Sequence, residues 1–537
     1  MAKEWTPKEL VLDLVSVQSD TYTKMEIDMA RHILEVIKGQ DYWKEHPELC
    51  GLHDGHDRMG RLVPWAMRRG TSEKCLVLSG HFDCVEIDCY GTLKEFALTP
   101  EVLKEKMKDL EWSDPDVVKD LASEDWLFGR GTADMKGGTA VLLCELFKAA
   151  AEGIRPDLNI LYVGVGDEET AAEGIFQSVG LFTELKDRYG LDYKLLVNGE
   201  PTTKDSAKKY VYYDGSIGKA LPFIVTKSKL VHVGNLMQGL NSAVIASNIV
   251  RRVELNTDLC SEDYGQKCVP PTVLYMKDDK KFYNVSVPLY TNLFLNTFFT
   301  NSNNALNILR SLGQICREAA DEAVEMYNKA YDFMKPDHPN PNHNVRVMSL
   351  SELEDFNKAN VSDYDSKKDA FVKGQIEKVN SGQSITQLAT GFDIVQWEIE
   401  QSEITDPMVV YGLMAPYVPA VNNHYFDNFD REGMINAVAD ALAPFDITLV
   451  EVPYFMGLSD NSYISDVDAT DDIEALKSMV TPKEVYTIPL KEAEYIALPS
   501  IIIGPWGKDY HTITERVYLP DLQIHTPAVV RKIIETI

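Results

Sequence analysis

The chain has 537 residues, 45% hydrophobic and 25% charged, with a formal net charge of -30; it is too long for one ordinary core, so two or more domains are expected in a soluble globular protein. A surface this acidic repels phosphate backbones unless a basic patch intervenes, and the sequence holds none, which excludes nucleic acid as a partner. The first residues lack a basic segment followed by an apolar stretch, and no run of about 18 apolar residues occurs, so a cytoplasmic chain without a membrane partner is expected.

Thr6-Pro7-Lys8-Glu9 is a capping box with proline at the first helical position and predicts a helix to about Val15; 25–39 reads as a second, amphipathic helix. The cluster His53-Asp54-Gly55-His56-Asp57 has no apolar strand to position it and reads as a solvated loop. Residues 74–80 (KCLVLSG) form a short apolar run that stops at His81-Phe82-Asp83. Residues 93–123, rich in Lys, Glu and Asp at helical spacing, read as an exposed helical excursion without chemistry. The next stretch is Gly129-Arg130-Gly131-Thr132-Ala133-Asp134-Met135-Lys136-Gly137-Gly138, an Asp set among glycines ahead of 139–151 (TAVLLCELFKAAA), which predicts a buried helix. The glycines permit close backbone approach and unusual dihedrals where Asp134 projects. Two further apolar runs, 158–166 and 194–199, stop at Asp167-Glu168-Glu169 and at Glu200, and the strand signal continues through 210–213.

Residues 220–227 open a region of different periodicity: a strand, then His232, then a helix over 240–254. Beyond it 272–277 and 290–300 read as strands, 304–334 as a long helix, 337–344 as a polar loop whose two histidines are surface groups, 351–387 as polar helix and 407–419 as a strand. A helix over 430–442, a strand over 447–452, the apolar run 501–504 leading into the loop of His511, and a helix over 526–537 close the chain. The economical partition is a sheet-centred, three-layer α/β domain from 1–218 plus 421–537, interrupted by an inserted α+β domain over 219–420. The eight cysteines contain no CxxC pair and read as reduced, buried hydrophobes; Cys84 and Cys89 follow His81 closely, but a soft-metal site there is disfavoured because the other candidate ligands are hard oxygens and imidazole.

Ligands of open α/β sheets gather beyond the carboxyl ends of the strands, which is where the histidines and carboxylates fall. His81, Asp134, Glu169, Glu200 and His511 make the inventory for two divalent ions: two imidazoles, a bridging Asp and two terminal carboxylates. Nitrogen and oxygen donors without thiolate suit zinc best, with cobalt or manganese as alternatives. Glu168, beside a ligand, can take the proton of the attacking water, and Asp83 can orient the His81 ring through its second nitrogen. A mononuclear site and a catalytically silent binding protein are the alternatives.

The motifs Gly80-His81-Phe82-Asp83, Gly129 through Gly138, Asp167-Glu168-Glu169, Gly199-Glu200-Pro201-Thr202 and Gly504-Pro505 through His511-Thr512 resemble, in order, those of the M20 metallopeptidases and deacylases, a zinc-exopeptidase family. The resemblance implies that His81 and Glu200 hold one metal and Glu169 and His511 the other, with Asp134 bridging and Glu168 as general base. It implies that the insert is the family's lid, or dimerisation, domain, so that a homodimer stays open. The segment from Val231-His232-Val233-Gly234 to Gly239-Leu240-Asn241-Ser242-Ala243 is similar to the lid motif, which gives His232 the role of oxyanion donor and Asn241 that of a substrate contact. The insert and total length look most like the arginine-utilisation (RocB) branch. Leu293-Phe294-Leu295-Asn296-Thr297 stands where many members carry an Arg that binds a substrate carboxylate. The implied activity is hydrolysis of a peptide or N-acyl amide bond in a small peptide or N-acyl amino acid.

Overall fold

A computed structural model describes residues 3–57, 59–170, 172–380, 387–457, 459–465 and 468–537. They form two compact units: Met1–Ser216, Val421–Val467 and Ile488–Ile537 make the first, Ile217–Ala420 and Asp468–Thr487 the second. The sequence assigns all of 421–537 to the first unit, and the segment Asp468–Thr487 departs from that. Val480 is buried among Phe223, Val225 and Val410, and its N–H donates to the Leu413 carbonyl at 2.9 Å. A short segment of ordinary composition carries no local sign of which core it joins.

The first unit is built on an eight-stranded mixed sheet in the order Cys50–His53, Val63–Arg68, Asn159–Val165, Lys74–His81, Asp192–Asn198, Ser500–Ile502, Lys209–Tyr213 and Thr448–Val452. Lys74–His81 runs parallel to both its neighbours, and Ser500–Ile502 parallel to Asp192–Asn198, so these four strands end on one edge of the sheet. Every residue of Asn159–Val165 is buried, which is why its sequence is a continuous apolar run rather than an alternation. Val63–Arg68 is antiparallel to Asn159–Val165, and Ser500–Ile502 to Lys209–Tyr213.

Helix Lys136–Glu152 packs on this sheet with Pro7–Ser16 and Thr526–Thr536 beside it, while Glu173–Tyr189 packs against the strands Cys50–His53, Val63–Arg68 and Asn159–Val165. The capping box at Pro7–Ser16 is formed: Thr6 accepts from the Glu9 N–H, and the Glu9 side chain from that of Thr6. The excursion over 93–123 has a core of its own. Helices Pro100–Met107 and Pro115–Ala122 bury Leu103, Met107, Val117 and Leu121 against Trp126, Phe128 and Trp506. Each helix buries one apolar i, i+4 pair while Val102 and Val118 stay exposed, a stripe easily lost among so many charges.

The second unit centres on a five-stranded sheet in the order Thr272–Asp278, Tyr290–Phe299, Gly218–Lys227, Met408–Val418 and Arg346–Ser349. Side chains alternate across its middle strand. Phe223 and Val225 join a cluster with Leu350, Phe392 and Val395 from helices Leu350–Asn360 and Gln387–Gln401. Thr226 faces the other way and donates to the Ser242 carbonyl of helix Ser242–Val253, which packs on Ala305–Met334. The predicted polar helical stretch over 351–387 is three helices in part; its residues 381–386 lie outside the described residues. Among the described residues no helix is long and apolar enough to cross a membrane.

Candidate metal centre

His81 is the last residue of its strand, Glu168 and Glu169 follow Asn159–Val165, and Glu200 follows Asp192–Asn198, so three adjacent parallel strands deliver them to one edge. Asp134 lies in the turn before helix Lys136–Glu152. A Cβ on Gly138 would sit 1.9 Å from the Gly199 carbonyl oxygen, so glycine alone lets that helix start against the chain leading to Glu200. The left-handed backbone falls upstream of the glycine pair, at Gly131 with φ 78°.

The two oxygens of Asp134 face different imidazoles: Oδ1 lies 3.1 Å from His81 Nε2 and Oδ2 lies 3.2 Å from His511 Nε2. His511 Nε2 is 3.0 Å from Glu169 Oε1, and His81 Nε2 is 3.6 Å from Glu200 Oε1 and 3.9 Å from Glu168 Oε2. His81, Asp134 and Glu169 offer one set of donor atoms mutually within 4.8 Å, and His81, Glu168 and Glu200 another. The second ring nitrogen of His81 is 3.0 Å from the backbone carbonyl of Asp83 and 3.5 Å from its carboxylate. A carbonyl only accepts, so Nδ1 carries a proton and Nε2 faces the carboxylates. The Asp83 carboxylate also fixes the turn that carries Glu168 and Glu169, since its oxygens accept their N–H groups at 3.2 and 3.3 Å.

Burial pushes the carboxyls of Glu168 and Glu200 well above the usual range, against the opposing His81 charge. Burial also disfavours a charged His81, yet Glu200, Asp134 and Asp83 outweigh it and hold that imidazole well above its ordinary value. Hydrogen bonds to Asp134 and Glu169 raise His511 to about 10. So many acceptors in one buried place demand cations. Glu200 Oε1 is buried without a hydrogen-bond partner, and the donors are imidazole nitrogens and carboxylate oxygens, a set that fits divalent ions of the zinc type. Cys84 does not fit: burial pushes its thiol up to about 12, so it stays protonated.

Several supporting groups were not singled out by the sequence. Glu515 accepts the Gly131 N–H at 2.8 Å and the Asp134 N–H at 3.3 Å and pairs with Arg130. Arg61 binds Asp167, at the turn before Glu168, at 2.9 Å, together with Glu26, Asp57 and Glu173. Asp57 is thus a buried ion-pair partner, whereas His56 in the same predicted loop is exposed. Asp460 is buried and pushed up to about 7 by burial, with His81 opposing. Its neighbour Ser459 accepts from Asn198, whose own side-chain carbonyl takes the Glu200 N–H. Isolated polar residues in turns give no local signal of such partners.

His232 and Asn241 belong to the second unit. His232 is exposed, and its Nδ1 accepts the Gly234 N–H at 3.0 Å. Asn241 caps helix Ser242–Val253, its Oδ1 accepting the Ala243 N–H at 2.9 Å. His338 and His343 lie in the predicted polar loop, beside Tyr331 and Tyr327.

The sequence pattern of Peptidase family M20/M25/M40 matches residues 110–535. The uncharacterized protein YqjN of Bacillus subtilis (strain 168) is 30% identical over 96% of this chain and 94% of its own, and protein RocB of the same organism 28% identical over 95% and 91%. A tripeptidase of Staphylococcus aureus superposes with a TM-score of 0.53 at 13% identity, covering 100% of this chain and 98% of that one. A putative aminohydrolase of methicillin-resistant Staphylococcus aureus gives 0.54 at 12%, covering 99% and 96%; at such identities the likeness is one of fold. With the family pattern spanning most of the chain, and with imidazoles and carboxylates gathered on one edge of the sheet, the chain belongs to peptidase family M20/M25/M40 and is a metal-dependent hydrolase.

Proposed function

We propose that the protein is a dinuclear-metal amidohydrolase that cleaves a peptide or N-acyl amide bond in a small substrate. The observation that carries this reading is the Asp134 carboxylate with a separate imidazole at each oxygen, His81 on one side and His511 on the other. His81 and Glu200 would hold one ion, His511 and Glu169 the other, with Asp134 shared. Zinc matches the donors best, with cobalt or manganese able to replace it. When bound, the ions polarise the scissile carbonyl and acidify a water. Glu168 is the general base: it accepts the proton of the attacking water and returns it to the leaving nitrogen, and burial raises its proton affinity to suit that role. Asp83 keeps Glu168 and the His81 ring in register. His232, with Nε2 free of intrachain bonds to its own turn, is the donor to the developing oxyanion. Asn241, whose Oδ1 is committed to the helix cap, offers its amide N–H groups to the substrate.

The family supports the substrate class, and the likeness to RocB adds arginine derivatives to the compounds worth testing. A screen of di- and tripeptides and N-acyl amino acids, arginine derivatives included, with added zinc, cobalt or manganese tests the reading. Metal-dependent release of a free amine from one of these classes is expected. Bound metal without amide hydrolysis across the screen would contradict it.

A further inference from the structure

We infer that the buried Glu515–Arg130 pair is a positioning clasp for two residues of the metal centre, Asp134 and His511. One oxygen of Glu515, Oε1, accepts the Gly131 and Asp134 N–H groups at 2.8 and 3.3 Å and so sets the turn that aims Asp134. The other, Oε2, pairs with Arg130 Nη1. Arg130 Nη2 then donates to the backbone carbonyl of His511 at 3.2 Å and to that of Glu86 at 3.4 Å. One carboxylate thereby ties together two ligand loops that are far apart in the chain. Both side chains are shielded, with 3% and 0% of their surface exposed, so the pair is not loosened by solvent. Among the described residues neither side chain bonds to His81, Glu168 or Glu200, so the clasp reaches the ion of His81 and Glu200 only through the shared Asp134, and the ion of His511 and Glu169 through both Asp134 and His511.

Every hydrogen-bond partner of the Glu515 carboxylate among the described residues is a donor. Gln has the same size but presents an NH2 where one oxygen was, so Glu515→Gln leaves a donor facing donors. The inference rests on the two-ion reading above, and the experiment separates the two. Metal-free wild type and variants are titrated with Co2+, the cobalt absorption spectrum is followed, and thermal melting of each metal-free protein is recorded. Wild type should take up two ions. Glu515→Gln should bind the ion of His511 and Glu169 about 10–100-fold more weakly and the other, which meets the clasp only through Asp134, less so, with the spectrum of the weakened site altered and a lower metal-free melt, because the buried Arg130 loses its partner. Arg130→Lys keeps the charge but cannot reach Glu515 and His511 together, so it should show the same selective loss. It carries the test alone if Glu515→Gln does not fold. Two ions bound by both variants as by wild type, or equal weakening of both ions, would overturn the clasp. A wild type that takes up only one ion would instead overturn the two-ion reading.

Discussion

His511 Nε2 lies 3.2 Å from Asp134 Oδ2, while the other oxygen of that carboxylate faces His81. Because Asp134 addresses both imidazoles, Asp134→Ala should lose most of the bound metal and nearly all activity, whereas Glu200→Ala should mainly weaken one ion. Elemental analysis of the two purified variants checks this. Full metal occupancy in Asp134→Ala would remove the bridging role.

The base and the ligand are neighbours, and a substitution tells them apart. Glu168→Gln keeps size and hydrogen bonding but cannot accept the proton, so turnover should fall by about a hundredfold or more while metal content stays at the wild-type level. Near-native turnover would exclude Glu168 as base. Loss of metal would mean that the roles of Glu168 and Glu169 are exchanged.

His232 is exposed on the second unit, and an imidazole donor contributes to rate only when it meets the oxyanion as charge develops. Removing one such donor typically costs about 2.7–4 kcal/mol, so His232→Ala should lower the maximal rate by about a hundredfold or more with metal content unchanged. Mixing this variant with Glu168→Gln under subunit exchange identifies the chain that supplies it. Partial recovery of activity places His232 across a dimer, and no recovery despite exchange places it in its own chain. An undiminished rate in the single variant ends the oxyanion role.

The positions of His81, Glu168, Glu169 and Glu200 were legible because each follows an apolar run that is buried on both faces, and such runs are easily read as strands. Asp134 was legible from its glycines, one of which, Gly138, is required by a close backbone approach. Glu515 was not: a Glu in a polar loop gains its meaning only from Arg130 and two backbone N–H groups that the fold brings to it. The same holds for Asp460 and for Arg61, whose four carboxylate partners come from separate segments. The core of 93–123 and the placement of Asp468–Thr487 in the second unit also depend on contacts with distant elements, which local periodicity does not encode.

The Arg61 network predicts a pH dependence of stability. Four carboxylates share one guanidinium, and burial raises Glu26 to about 8 from an ordinary value of 4.5, with Asp83 adding to the rise and Arg61 opposing it. A group whose folded-state pKa is raised contributes stability that is fully present below its unfolded value and is lost as pH rises through the folded one. Metal-free wild type should therefore melt at progressively lower temperature as pH rises from about 5 to 8, and Glu26→Gln, which cannot ionise, should flatten that slope. Parallel slopes in the two proteins would show that Glu26 holds no extra proton in the folded state.

Two ions on one shared carboxylate, both needed for hydrolysis, make the reading that fits the Asp134 geometry. Metal-free protein titrated with zinc, with bound metal per chain and amide hydrolysis measured on the same samples, tests it most directly. Saturation at two ions per chain is expected, with activity rising steeply only as the second ion binds. Full activity at one ion per chain, with no further uptake, would contradict it.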